Sequence, residues 1–297
     1  MGSGRFGWRN YFESTIDEVA VIIWPMLVAL HQDVRVDALG AAKGHQYFCP
    51  NCRAEVTLKQ GRIVIHHFAH KPPTNCTWAK GETRAHLMAK VAIRDAFRTN
   101  GYQADYEVEV LSGGGDRRAD VLITCPAGQR VAIEIQHTPI LFDAIERRTK
   151  GYMAAHVPVA WIGILSPIMK SDAVTITGGL KIEKYAIRPW EKWAHAFCFK
   201  ELWYVDPEDQ TLWKGVFSDY LIEVQSSSWY NEYGEEQSAG GYSRVSKKWK
   251  TLTLSGPLPL GSAKIAVKSR KPWSSKVFSL PGGQFAHFIQ SPNGTGV

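Results

Sequence analysis

A chain of 297 residues, 44% of them hydrophobic, can bury a core and still leave room for a second unit, and its mixed charges exclude a disordered or fibrous chain. The net charge of +7 is unevenly placed: Ser238 to Val297 holds nine Lys or Arg and no Asp or Glu, an asymmetry that favours a polyanionic partner, in practice nucleic acid, over a merely solvated surface by a small margin. Five cysteines, an odd number with one close pair, point to a reducing, cytoplasmic setting and to metal ligation rather than a disulfide framework, and no run is suited to a membrane span.

Residues 1–16, with Gly2, Gly4 and Gly7, read as a disordered N-terminus, and 17–80 as a β-rich region. Val19–Leu30 is strand-like but interrupted at Pro25, and Val34–Leu39 alternates as a half-buried strand does. Cys49-Pro-Asn-Cys52 follows, then a short hairpin over Glu55–Lys59 and Arg62–His66, then His67-Phe-Ala-His70. Two thiolates and two imidazoles at this spacing can close a tetrahedron on Zn²⁺, with His66 or Cys76 as possible substitutes for one ligand. Four protein ligands leave no open position, so this zinc is expected to be structural.

After Pro72-Pro73 a helix is expected over Gly81–Thr99, with Leu87, Val91, Ala92 and Phe97 as its apolar face. Glu82, His86 and Lys90 recur at intervals of four and form one polar stripe, which on an isolated helix would be solvated. Tyr106–Leu111 is the next strand. Ala119–Thr124 and Arg130–Gln136, around Cys-Pro-Ala-Gly-Gln, form a β-hairpin. Asp120 opens its first strand, and Glu134 and Gln136 share a face of the second. A carboxylate in so apolar a run carries a desolvation cost that a shared divalent cation relieves, so Asp120 with Glu134 is a candidate Mg²⁺ or Mn²⁺ site. The alternative is structural: Asp120 pairing with Arg117 or Arg118, and Glu134 on an exposed edge.

A helix over Pro139–Ala155 and an apolar central strand over Val157–Leu165 complete a mixed α/β core, with further β material at Lys181–Ile187 and Leu202–Val205. Trp190, Trp193, Phe197 and Phe199 are either core or base-stacking residues. Cys125 and Cys198 have no evident catalytic partner.

Cys49-Pro-Asn-Cys52, His67-Phe-Ala-His70, the Glu82/His86/Lys90 helix, Arg118-Ala-Asp120-Val, Glu134-Ile-Gln136, and Arg148 with Tyr152 form a co-linear set. Over about residues 27–225 the chain resembles the competence protein CoiA-like family, whose nuclease core is of the PD-(D/E)XK, restriction-endonuclease-like class. The resemblance implies a metal-dependent deoxyribonuclease whose core, 81–225, follows the zinc-binding region. It implies that Asp120 and Glu134 ligate Mg²⁺ with help from the Ile135 carbonyl, that Glu82 is the acidic residue of the first helix, and that Gln136 is the third residue of the strand motif. That third position holds Lys in the wider class; Gln brings no charge, which leaves Lys90 or Lys150 to supply it from a neighbouring helix. Arg118, Arg148, Lys150 and Tyr152 are the expected nucleic-acid contacts.

Residues 226–297 lie beyond the resemblance. Ser226–Gly241 reads as a linker, and the basic extension after it, with Lys247, Lys248 and Lys250 beside Trp249, reads either as a DNA-contacting tail or as a small β appendage. A homo-oligomer or an accessory protein is left open as a further partner. Two other readings stand beside the nuclease: a catalytically inactive DNA-binding processing factor of the same fold, and a zinc-ribbon adaptor that binds another protein.

Overall fold

In the N-terminal part, runs of two to five residues separated by turns are too short to bury a face alone, and they become stable by pairing. The computed structural model describes residues 25–61, 65–78, 81–112 and 117–290; residues 1–16, expected from the sequence to be disordered, the start of Val19–Leu30 and the Arg62–Val64 part of the expected hairpin lie outside these. The chain divides between Thr83 and Arg84 into two units. In the first, β1 (Pro25–Met26), β2 (Val28–His31), β3 (Val34–Asp37), β4 (Tyr47–Phe48), β5 (Glu55–Lys59) and β6 (His67–His70) form one sheet in the order β1-β6-β5-β4-β2-β3. The His-x-x-His segment is itself a strand, pairing Val56 with His70 and Lys59 with His67.

The second unit opens with α1 (Arg84–Thr99), three residues shorter at its start than the sequence suggests. Its buried face is Leu87, Ile93 and Phe97 together with His86, Lys90 and Arg94, while Val91 and Ala92 are only half-buried. Burying Leu87, Ile93 and Phe97 stabilises the unit by about 1.5–3 kcal/mol each. The polar stripe thus faces inward, because the sheet it covers offers carboxylates.

That sheet has nine strands in the order β11-β12-β17-β14-β13-β10-β9-β8-β7. β7 (Gln103–Val110), β8 (Arg117–Thr124) and β9 (Arg130–Ile135) form an antiparallel meander. α2 (Phe142–Ala154) then returns the chain so that β10 (Val159–Ile164) lies parallel to β9 and to β13 (Leu202–Asp206). Every residue of β10 is buried, as its apolar run requires of a strand covered on both faces. Between β10 and β13 come α3 (Pro167–Ser171), β11 (Val174–Ile176), β12 (Gly179–Ala186) and α4 (Pro189–Phe197). Trp190, Trp193 and Phe197 of α4 are wholly buried and belong to the core, whereas Phe199 is exposed.

The expected linker and tail are corrected by the strands that follow. β14 (Thr211–Val224) leads into the hairpin β15 (Ser227–Tyr230) and β16 (Glu236–Ala239), and β17 (Tyr242–Pro259) runs back between β14 and β12 inside the sheet. The basic residues of β17 precede an alternating stretch in which Leu252 and Leu254 share one buried face. β18 (Ala263–Arg270) with β21 (Gly283–Gln290), and β19 (Trp273–Ser274) with β20 (Ser279–Leu280), complete the chain. Among the described residues no helix is long and apolar enough to cross a membrane.

At the start of α4, Glu191 is fully buried and accepts hydrogen bonds from Tyr185 (2.7 Å), Tyr204 (3.1 Å) and the Arg188 amide (2.8 Å). Burial pushes its carboxyl above the ordinary range despite these donors. Such a group binds its proton more tightly folded than unfolded. Its contribution is therefore complete below the unfolded value of about 4.3 and is lost as pH rises through the folded one. Urea unfolding of Glu191→Gln is expected to show the variant gaining on the wild type as pH rises above the unfolded value of about 4.3.

Candidate functional site

Three adjacent strands set three carboxylates in a row. Tyr106↔Val121 and Val108↔Ala119 bracket Glu107 beside Asp120, and Val121↔Ile133 carries the antiparallel register on to place Asp120 beside Glu134. All three side chains are buried. Glu107 takes φ +58, a backbone conformation unusual for a residue with a side chain, and the burial alternation of β7 changes phase at this residue. Read as plain alternation, Tyr-Glu-Val-Glu puts Glu107 in solvent. Only the local flip turns it inward, and the sequence carries no signal of it.

The helices bring the counter-charges. Lys90, fully buried on α1, places Nζ 3.2 Å from Glu107 Oε1 and 3.4 Å from Asp120 Oδ1. His86, one turn earlier, places Nε2 3.2 Å from Asp120 Oδ2, which also accepts the Ile135 amide at 2.8 Å. Glu82 lies two residues before α1, on the other side of the boundary between the two units. Burial pushes the Asp120 carboxyl up, but His86 and Lys90 outweigh it and hold it far below the usual carboxylate range.

From α2, Arg148 and Tyr152 donate to the two oxygens of Glu134. Arg148 lies 5.0 Å over the Trp161 ring, and the Trp161 indole is in turn held at 3.0 Å by Thr149. Burial raises the Glu134 carboxyl despite Arg148, and burial beside Glu134 pushes the Tyr152 phenol well up. Tyr152 is therefore a buried partner of Glu134, and not the exposed nucleic-acid contact that the resemblance implies.

The other expected residues are placed elsewhere. Gln136 donates to the Thr138 carbonyl (2.6 Å) and hydroxyl (3.2 Å), holding its own loop. Lys150 pairs with Glu146 at 2.6 Å on an exposed face of α2, so Lys90 and not Lys150 stands at the carboxylate row. Arg118 is half-buried opposite Glu109. Lys247 is exposed, Lys248 lies 4.7 Å over Trp249, and Lys250 pairs with Asp219 at 2.5 Å.

In the first unit, Cys49, Cys52, His70 and Cys76 place their ligand atoms within 4.8 Å of one another. Cys49 Sγ lies 3.8 Å from Cys76 Sγ, and Cys52 Sγ lies 3.3 Å from His70 Nε2. A tetrahedron with Zn–S bonds of about 2.3 Å has S···S edges of about 3.8 Å, so the spacing suits a metal such as zinc. His67, expected as a ligand, is outside this group. It is three residues from His70 on a strand, which turns it to the opposite face, and its Nδ1 meets the Ile65 carbonyl at 2.8 Å. Cys76 takes its place from the turn after Pro72-Pro73. Burial pushes the Cys49 thiol up to about 12, a cost that ligation of the thiolate removes.

Comparison with known proteins separates these same two regions. A family model described as "Competence protein CoiA, N-terminal domain" matches residues 31–79, and one described as "Competence protein CoiA, nuclease-like domain" matches residues 82–214. The chain is also similar to "Competence protein CoiA" of Bacillus subtilis (strain 168), 28% identical over 121 residues, 40% of this chain. The similar stretch spans about a third (32%) of that relative's length. No solved structure matches. With the Cys/His cluster inside the first match and the row of carboxylates inside the second, the chain belongs to the competence protein CoiA family.

Proposed function

We propose that this protein is a Mg²⁺- or Mn²⁺-dependent nuclease that hydrolyses phosphodiester bonds of DNA, and that its nuclease-like domain is a restriction-endonuclease-like core. The observation that carries this reading is the buried row Glu107, Asp120 and Glu134, faced by two cations, Lys90 and Arg148. Three carboxylates against two cations leave room for a further positive charge, and burial, which raises the Glu134 carboxyl, makes a bare charge there costly. The element order α1, β7, β8, β9, α2, β10, with Asp120 and Glu134 on neighbouring strands, supports the fold assignment.

Asp120 and Glu134 would hold the divalent cation. When bound, it supplies a nucleophilic water near neutral pH and charge stabilisation at phosphorus. The chain's own groups do the rest. Glu107 fixes the ammonium of Lys90 beside Asp120, where it meets the charge of a phosphate. Arg148, which donates to Glu134 here, would be the group to meet phosphate once that carboxylate is otherwise engaged, and Trp161 packs against its guanidinium. Gln136 fixes the loop at the end of β9.

The test is incubation of the purified protein with linear, circular and single-stranded DNA, and with RNA, in Mg²⁺, Mn²⁺ or EDTA, beside Asp120→Asn and Glu134→Gln. Cleavage is expected with either metal and not in EDTA, and each variant is expected to lose at least about 100-fold in rate. A second reading has its own observation: Glu134 is closed by Arg148 and Tyr152, and Gln136 brings no charge. DNA binding without metal-dependent cleavage of any substrate would establish that reading, an inactive DNA-binding factor.

A further inference from the structure

Against α3, β12 and β17 lies a recess of about 320 Å³, within the size range of small-ligand sites, whose walls include Met169, Asp172, Lys184, Tyr185, Arg188 and Trp249. β12 and β17 make it rigid: Ala186 pairs with Trp249 and Tyr185 with Lys250, and the Tyr185 hydroxyl is tied to Glu191 at 2.7 Å. Two ammonium groups stand over the indole, Lys184 at 4.9 Å and Lys248 at 4.7 Å. Arg188 links the recess to the carboxylate row, since its guanidinium donates to the His137 carbonyl at 3.5 Å, the His137 ring lies 5.0 Å from that of His86, and His86 meets Asp120 at 3.2 Å.

We propose that this recess holds one unpaired nucleotide of a nucleic-acid strand, its base stacked on Trp249 and its flanking phosphates on Lys184, Lys248 and Arg188. Three cations against the single carboxylate of Asp172 favour a polyanion, and a half-buried indole among cations presents a stacking platform that every base can use. A duplex offers no free base face to such a recess, so the preferred ligand is single-stranded. This inference rests on the nuclease reading in one respect only: a strand leaving the recess past Arg188 would run toward the carboxylate row.

The test uses the full chain in EDTA, with binding followed by fluorescence anisotropy on labelled oligo-dT, oligo-rU, a duplex, and an abasic strand of equal charge. Trp249→Ala is expected to weaken binding of oligo-dT roughly ten-fold or more while leaving the salt dependence unchanged, and Trp249→Phe to retain most of the affinity. Lys184→Ala is expected to flatten the salt dependence by about one phosphate contact. The abasic strand should bind the wild type about as weakly as oligo-dT binds Trp249→Ala. Equal binding of oligo-dT and the abasic strand, a preference for duplex, or an unchanged Trp249→Ala would overturn the proposal. The abasic comparison uses only the wild type and stands even if Trp249→Ala misfolds. Relative binding to oligo-dT and oligo-rU separates a DNA ligand from an RNA one. Binding as expected without metal-dependent cleavage leaves the subsite standing and removes the nuclease reading alone.

Discussion

Replacing Cys49 or Cys76 with serine is expected to strip the bound metal and unfold the first unit, whereas His67→Ala keeps the metal. Six short strands, two of them only two residues long, form a sheet with little interior of its own. The ligand atoms come from the turn between β4 and β5, from the end of β6 and from the turn at Cys76. Closing them on zinc is worth about 10–16 kcal/mol at neutral pH in small zinc-binding peptides, more than such a unit gains from burial. Metal analysis should find about one zinc per chain, the number a four-ligand closed site takes. Hydrogen exchange over residues 25–70 should become fast in Cys49→Ser while α1 and the nine-stranded sheet stay protected. Zinc-free wild-type protein with a protected first unit would refute the site, and loss of metal in His67→Ala would restore the ligand set suggested by the sequence.

Lys90→Ala is expected to cost about 3–5 kcal/mol, because it leaves Glu107 buried without its cation. Lys150→Ala, which removes an exposed ammonium and leaves Glu146 its bond from the Ser279 hydroxyl, should stay within about 1 kcal/mol. The double variant Lys90→Met with Glu107→Gln should recover part of the loss, since no bare charge remains between α1 and β7. Chemical denaturation of the three variants measures this directly. A Lys90→Ala as stable as Lys150→Ala would show that the buried pair carries no such weight.

Where chemistry and chain period coincide, the sequence was legible. The uninterrupted apolar run of β10, the hairpin around Cys125–Gln129 and the inward side chains Asp120 and Glu134 follow from period-two patterning and desolvation, and the structure has each of them. Three features followed from distant or local backbone geometry instead. Glu107 turns inward through one residue at φ +58. Cys76 reaches its metal group from an aperiodic turn, while strand alternation carries His67 away from it. The inward direction of the stripe through His86 and Lys90 depends on carboxylates donated by another element, which the helix pattern alone does not show.

The placement of β17 bears on how the polypeptide is made. Its pairing partners β12 and β14 are synthesised first, and until residues 242–259 leave the ribosome both present unsatisfied edges to their neighbours in the cell. A polypeptide cut at residue 214, where the nuclease-like match ends, would keep every carboxylate of the row yet carry one of those edges permanently. Expression fragments should therefore run through Pro259, and during translation the nascent chain depends on chaperone cover for the interval between the two strands.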